Sequence, residues 1–310
     1  MNIIILKKAL NDLLIEMPYN SISHLYQYFT STTPDSRFGA ACAWQTIELA
    51  NRLKSLGAEE LFFVRDHRHG ALITACHGRL FLLDPYLMHI EPISLSKLFQ
   101  SKLGLEFIAY PMCQIRGISK QVSILHARFY AKRGVLSLKY KRLNLLTEEY
   151  QISHKFKFNL NQRLITRPSD DEIIHLFFDP EQNNLSIRAI NPIDKRVSQL
   201  IYPICLYHGD NLISEKRLVL KTNEGAIIKH QNKAVFENEV NKMCIGLRCS
   251  REELISFILG GVEIYEKHAP SRIAYLPLDS VILECVGHGK LCNTTKRKYK
   301  GQQDSLTINS

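Results

Sequence analysis

A chain of 310 residues, 45% hydrophobic and 23% charged, has an ordinary globular composition and room for two domains or for one with a large appendage. No apolar run reaches the length of a membrane span, and eight scattered cysteines exclude a disulfide-stapled scaffold and suit a reducing, cytoplasmic setting. The formal charge of +10 suits an anionic partner, but aromatics do not cluster with the basic residues as a nucleic-acid stacking platform would require, so no nucleic-acid partner is expected.

The opening MNIIILKKALNDLLIEM places its lysines after the apolar residues and is followed by no small-residue cleavage site, so it predicts an amphipathic helix over 3–17 and not a signal peptide. Pro18 ends that segment, SISHLYQYF predicts a short helix, and STTPDSRFGA is a turn-rich loop leading to Cys42. From Cys42 the apolar residues Ile47, Ala50, Leu53 and Leu56 recur at helical spacing, with Gly57 as the stop. Cys42 falls in the first turn, where unpaired N–H groups and the helix dipole favour a thiolate.

Apolar runs on both sides of His77-Gly78 predict a hairpin. With those two residues as the loop, Cys76 faces Arg79, Ala71 faces Asp84 and His69 faces Tyr86. His69 and Asp84 are then diagonal neighbours on one face, within side-chain reach. His67 shares that parity but lies one pair further from the turn, and so further from Asp84. LMHIEPISLSKLF predicts a turn and a short helix that close a first unit of residues 1–115.

From 116 to about 240 the pattern becomes stranded. VSILHARFY and VLSLKYKRL alternate around Lys132-Arg133-Gly134, IIHLFF and LSIRAI flank DPEQNN, and IYPICLY, RLVLKT and AIIK follow. Ser250 with Glu253 makes a capping box before a late helix that Gly260-Gly261 are expected to end or break. The expected organisation is α+β: a helical segment with a cysteine helix packed on an antiparallel sheet or barrel, then a β-rich unit over 116–290, then a basic mobile tail over 291–310.

A cysteine opening a helix, with a histidine and an aspartate on adjacent strands, is a nucleophile set: the thiolate attacks an acyl carbon, the imidazole carries the proton, and the carboxylate fixes its tautomer. Cys42, His69 and Asp84 are the candidate catalytic residues. The bland alternatives are a buried cysteine acting as a small hydrophobe, a surface histidine and a strand-ending Asp-Pro.

Four segments also resemble the arylamine N-acetyltransferase family, within the wider transglutaminase-like and papain-like group. MPYNSISHL resembles its proline-aromatic-Asn segment, SRFGAAC its Arg-Gly-Gly-x-Cys approach, and SLG the Leu-Gly that ends its cysteine helix. HGALITACHGRLFLLDPYLMHIEPISL resembles its histidine strand, hairpin, aspartate and Pro-Ile-x-Leu. The resemblance covers about residues 10–100 and implies Cys42 as nucleophile, His69 as base and Asp84 as orienting acid. It further implies an acyl coenzyme A, such as acetyl-CoA, as co-substrate, a small amine or hydroxyl acceptor, and no bound cofactor or metal. Phe38 interrupts the glycine pattern, and Trp44 stands where many members carry a glutamate. A transglutaminase-like peptidase or amidase with the same triad, and a binding protein whose site Phe38 and Trp44 narrow, are the other two readings.

Arg116, Lys120, Arg128, Lys132, Arg133, Lys139, Lys141 and Arg142 make a basic region that suits coenzyme phosphates or a solvated hairpin face. Cys285, His288 and Cys292, with Cys244 or Cys249, are metal-ligand types, but their spacing matches no common zinc module. Lys296, Arg297, Lys298 and Lys300 suit a solvated tail.

Overall fold

The computed structural model describes residues 2–66, 69–112, 121–144, 147–164, 167, 169–178, 182, 184–204 and 213–269. It is an α+β fold in which every pairing between named strands is antiparallel. The helices are α1 (Ile3–Glu16), α2 (Ser23–Thr30), α3 (Cys42–Ser55), α4 (Leu95–Gln100), α5 (Asp170–Phe177), α6 (Lys233–Leu247) and α7 (Arg251–His268). Strands β2 (Leu61–Asp66), β3 (His69–Cys76), β4 (Arg79–Leu83) and β5 (Ile93–Ser94) form one four-stranded sheet. A second is made of β6 (Leu105–Ile108), β7 (Ser123–Tyr130), β8 (Val135–Asn144) and β9 (Glu149–Asn159). The third sheet has the order β1 (Tyr19–Asn20), β10 (Asn184–Ile190), β11 (Val197–Pro203), β12 (Val219–Lys221), β13 (Ile227–Lys229). No helix among the described residues is long and apolar enough to cross a membrane.

Two hydrophobic clusters organise these layers. The first joins α1, the inner face of α3 and sheet β2–β5 to Leu125, Leu136, Leu138 and Phe158 of β7–β9, and it also takes in Ile190 and Val197. The second joins Ile22, Leu25 and Phe38 to the outer face of β10–β12 and to α6 and α7. Residues from both sides of position 115 enter each cluster. On α3 the buried positions are Gln45, Thr46, Leu49, Ala50 and Leu53, with Ile47 half-buried and Leu56 49% exposed. The apolar face is thus rotated from the expected stripe, because two polar residues are tied inward. Gln45 Nε2 donates to Met17 O (2.7 Å), and Thr46 Oγ1 lies 3.0 Å from Cys42 O and 3.2 Å from Gly70 O.

Three expected elements are corrected. IIHLFF is helical through Phe177 in α5, with Phe178 in the turn that follows: Asp170 and Asp171 favour the positive end of a helix, and Ile174, Phe177 and Phe178 meet the second cluster. Residues 233–240, the end of the stretch expected to be stranded, belong to α6, whose Phe236, Val240, Met243 and Leu247 line one face. Gly260-Gly261 neither end nor break α7. They lie mid-helix because Tyr26 Oη and Ile22 Cγ2 occupy the space that a Cβ would take at each. The Ser250–Glu253 capping box does begin α7, and Gly57 closes α3 at φ +84°. The tail at 291–310 lies outside the described residues.

Candidate active site

Cys42 is the first residue of α3 and is half-buried. Its position depends on a short approach loop in which Ala40 N donates to Pro18 O and Asn20 N donates to Ala40 O, each at 3.0 Å. Gly39, at φ +74°, is required there because a Cβ would strike the Pro18 backbone. The buried Asn20 side chain secures the same loop. Its Nδ2 donates to Phe38 O (2.6 Å), while its Oδ1 accepts from Ile22 N (2.9 Å) and Ser23 N (2.7 Å) at the start of α2. Arg37 pairs with Asp35 within the loop and clamps it to α7 by pairing with Glu253 and to the end of α6 by donating to Arg248 O. No side chain caps α3, whose first-turn N–H groups point out of the helix end beside the thiol.

The hairpin has the expected register, from Cys76↔Arg79 to Leu72↔Leu83. Past Leu83 the chain leaves the ladder for a 3₁₀ turn over Pro85–Leu87, with Asp84 as its cap. This turns Asp84 toward the start of β3, where His69 Nε2 lies 2.7 Å from Asp84 Oδ2. The other carboxylate oxygen accepts from Leu87 N (3.3 Å), and Asp84 N donates to His89 Nε2 (2.9 Å). His89 is fixed in turn by its Nδ1, 2.7 Å from Glu91 O, and burial first of all holds its pKa down. It is therefore a neutral ring whose Nδ1–H donates and whose Nε2 accepts. His67 lies outside the described residues.

His69 and Asp84 are 3% and 0% exposed. Burial opposes charge on His69, but the charge and hydrogen bond of Asp84, with Cys42 adding in the same sense, outweigh it and raise the pKa to about 10. His69 is thus an imidazolium at neutral pH, facing Cys42. Its Nδ1 is buried and makes no regular hydrogen bond. Around it stand Phe156 (ring centroids 4.1 Å apart), Tyr86 (5.1 Å) and Phe158 (5.9 Å). The rings expected to narrow the site are engaged elsewhere: Phe38 stacks on Phe257 (4.2 Å), and Trp44 stacks on His24 (3.4 Å), both in the second cluster.

Asn20, His89 and the β9 aromatics do not stand out in the sequence as site residues. The β9 aromatics reach His69 from another sheet, whereas Asn20 acts on Ile22, Ser23 and Phe38 and His89 on Asp84 and Glu91; only the Asn of MPYN carries a local signal. Of the basic region, Arg142 turns to Asn223 O (2.6 Å), Lys141 pairs with Glu106 (3.3 Å), and Arg116 and Lys120 lie outside the described residues, as do Cys285, His288 and Cys292. Glu215, His230 and Glu237 converge closely enough to suit a cation, but Arg251 bonds both carboxylates and already supplies one.

No family model matches the chain, and no curated protein matches it. Solved structures do. The arylamine N-acetyltransferase of Mycobacterium abscessus aligns at 10% identity over 83% of this chain and 87% of that one, with a TM-score of 0.49. Arylamine N-acetyltransferase C of Bacillus anthracis aligns at 13% identity over 77% and 90%, with a TM-score of 0.39. The Salmonella typhimurium enzyme aligns at 9% identity over 79% and 86%, with a TM-score of 0.43.

Proposed function

We propose that Cys42, His69 and Asp84 form a cysteine acyl-transfer centre that moves an acyl group from an acyl-CoA thioester, such as acetyl-CoA, to a small amine or hydroxyl acceptor in the reducing cytoplasm. The observation that supports it best is the buried His69–Asp84 bond of 2.7 Å, with the remaining ring nitrogen turned to the helix end that carries Cys42. Asp84 fixes the tautomer and stabilises the imidazolium, which carries the proton that the reaction moves. The choice of coenzyme follows from the sequence resemblance over residues 10–100.

In the first half-reaction, Cys42 sulfur bonds to the acyl carbon, the bond from that carbon to the coenzyme sulfur breaks, and His69 protonates the departing thiolate. In the second, the acceptor gives its proton to His69 as it attacks the acyl–Cys42 carbonyl, and Cys42 leaves. The oxyanion of each tetrahedral intermediate suits the uncapped N–H groups at the start of α3.

Intact-mass analysis after incubation with acetyl-CoA, or with p-nitrophenyl acetate, tests this. The expected result is an acetyl adduct from both, absent in Cys42→Ala. An adduct from the ester alone would move the reading to a hydrolase or amidase that uses the same residues without coenzyme. If neither reagent acylates Cys42, and iodoacetamide alkylates it no faster than free cysteine, the acyl-transfer reading fails.

A further inference from the structure

One face of the third sheet carries a line of polar residues across four strands. Tyr19 of β1 pairs with Arg188 of β10, Arg188 with Gln199 of β11, and Gln199 with Lys221 of β12. Residues paired in this way project from the same face. The alternate residues Ile187, Leu200 and Leu220 enter the second cluster, so the polar line faces the other way, toward the first cluster and His69.

Arg188 is the centre of this line and is 8% exposed. Its guanidinium lies 4.8 Å from the Tyr86 ring and 5.0 Å from the Tyr19 ring, and its Nη2 donates to Tyr86 O (2.7 Å). Tyr86 in turn lies 5.1 Å from His69, ring to ring, so one aromatic ring separates the guanidinium from the proposed base. Arg142 reaches the same region from β8. Neither arginine bonds a carboxylate among the described residues: Arg142 donates to Asn223 O and Arg188 to Tyr86 O. A buried cation without a counter-charge is costly, and an arrangement that tolerates one suits an anion from outside.

Neighbouring groups register the excess of positive charge. Burial, then Arg142 and Arg188, lower the pKa of Lys221 to about 7. Burial, then Arg188, Lys221, His69 and Arg142, lower that of His154 to about 3. Lys221 and His154 are both half-buried, so neither is sealed in a core.

We propose that Arg188, Lys221 and Arg142 bind a carboxylate carried on the acyl group that Cys42 takes up, so that the transferred group is derived from a dicarboxylic acid. This rests on the acyl-transfer reading above. Two points favour the acyl chain as the source of the charge. The phosphates of a coenzyme are separated from its thioester by the long pantetheine arm, whereas Arg188 stands one ring from His69. A buried guanidinium also meets the part of the substrate that stays on Cys42 between half-reactions, while the acceptor enters and leaves.

Two measurements test it, with Lys221→Met and Arg188→Met as variants; Lys221 is half-buried, so its variant remains informative if Arg188→Met fails to fold. The first compares acylation of Cys42 by mono-p-nitrophenyl succinate and by p-nitrophenyl acetate, followed by p-nitrophenolate release and adduct mass. The succinyl-to-acetyl rate ratio is expected to exceed that of free cysteine at least tenfold and to fall several-fold in the variants. A ratio equal to that of free cysteine, or one unchanged in folded variants, overturns the proposal. The second measures the thermal midpoint with succinate, against succinamide and against sodium chloride at matched ionic strength. Succinate alone should raise it in the wild type, and less so in Lys221→Met; no rise with succinate overturns anion binding. If neither ester acylates Cys42 but succinate still stabilises the protein, the acyl-transfer reading fails while the anion site stands.

Discussion

His69 holds a charge where burial alone would remove it, and the reason is local. Asp84 is fixed from three sides, by His69 Nε2, by Leu87 N and through its own N–H by His89. A carboxylate so held cannot turn away from the imidazole, and with Cys42 it outweighs desolvation. The unfolded pKa of 6.5 lies below the folded value of about 10, so the folded chain binds the proton more tightly. The stabilisation is complete below pH 6.5, falls across the window from there to about 10, and is absent above it. Asp84→Asn removes the counter-charge and should cost about 3 kcal/mol near pH 6, since breaking a buried ion pair strands its partner. Urea unfolding at several pH values checks both points: the gap between wild type and variant should close toward pH 10 or above. Parallel curves would mean that Asp84 does not hold the proton on His69.

At the scale of elements, α7 shows a sequence signal whose meaning depends on a neighbour. Two consecutive glycines usually weaken a helix, yet α7 runs through them to His268 because α2 lies too close for side chains there. Alanine at an exposed helical glycine gains up to about 1 kcal/mol. At Gly261 the added methyl meets Ile22 Cγ2, and Gly261→Ala should instead lose on the order of 1–3 kcal/mol. Gly246 of α6, where the nearest atom to a new Cβ is 3.4 Å away, is the contrasting position and should be neutral or slightly stabilised. Chemical denaturation of both variants decides it; a Gly261→Ala variant as stable as the wild type would contradict the close approach of α2 and α7. The same dependence explains what was legible beforehand. The cysteine helix, the hairpin around His77-Gly78 and the Ser250–Glu253 cap rest on spacing and turn chemistry, which are local. The burial of α5 against His24 and Trp44 and the closure of β9 over His69 rest on partners more than a hundred residues away or in another sheet. Strand parity brought His69 and Asp84 to one face, but the contact itself is made by a 3₁₀ turn that alternation alone does not contain.

For the whole molecule, α3 is the element on which both clusters meet. Leu49, Ala50 and Leu53 belong to the first cluster, while Trp44, two residues after Cys42, packs with the second. The approach loop reinforces this: Phe38 lies in the second cluster, and Asn20 ties its carbonyl to the start of α2. Lys157 N donates to Asp66 (2.6 Å) and Arg142 to Asn223 O (2.6 Å), linking the second sheet to the first and to the third. A helix shared between two cores cannot keep its first turn in place when one core melts, so the two should unfold together. Trp44 is the single tryptophan of the chain and reports on the second cluster by fluorescence, while alkylation of Cys76, buried in the first cluster, reports on the hairpin. Followed across a urea series, the two signals should share one midpoint and one slope. A Trp44 transition at clearly lower urea, with Cys76 still protected, would show that the second cluster melts by itself and that the helix opening at Cys42 is anchored by the first cluster alone.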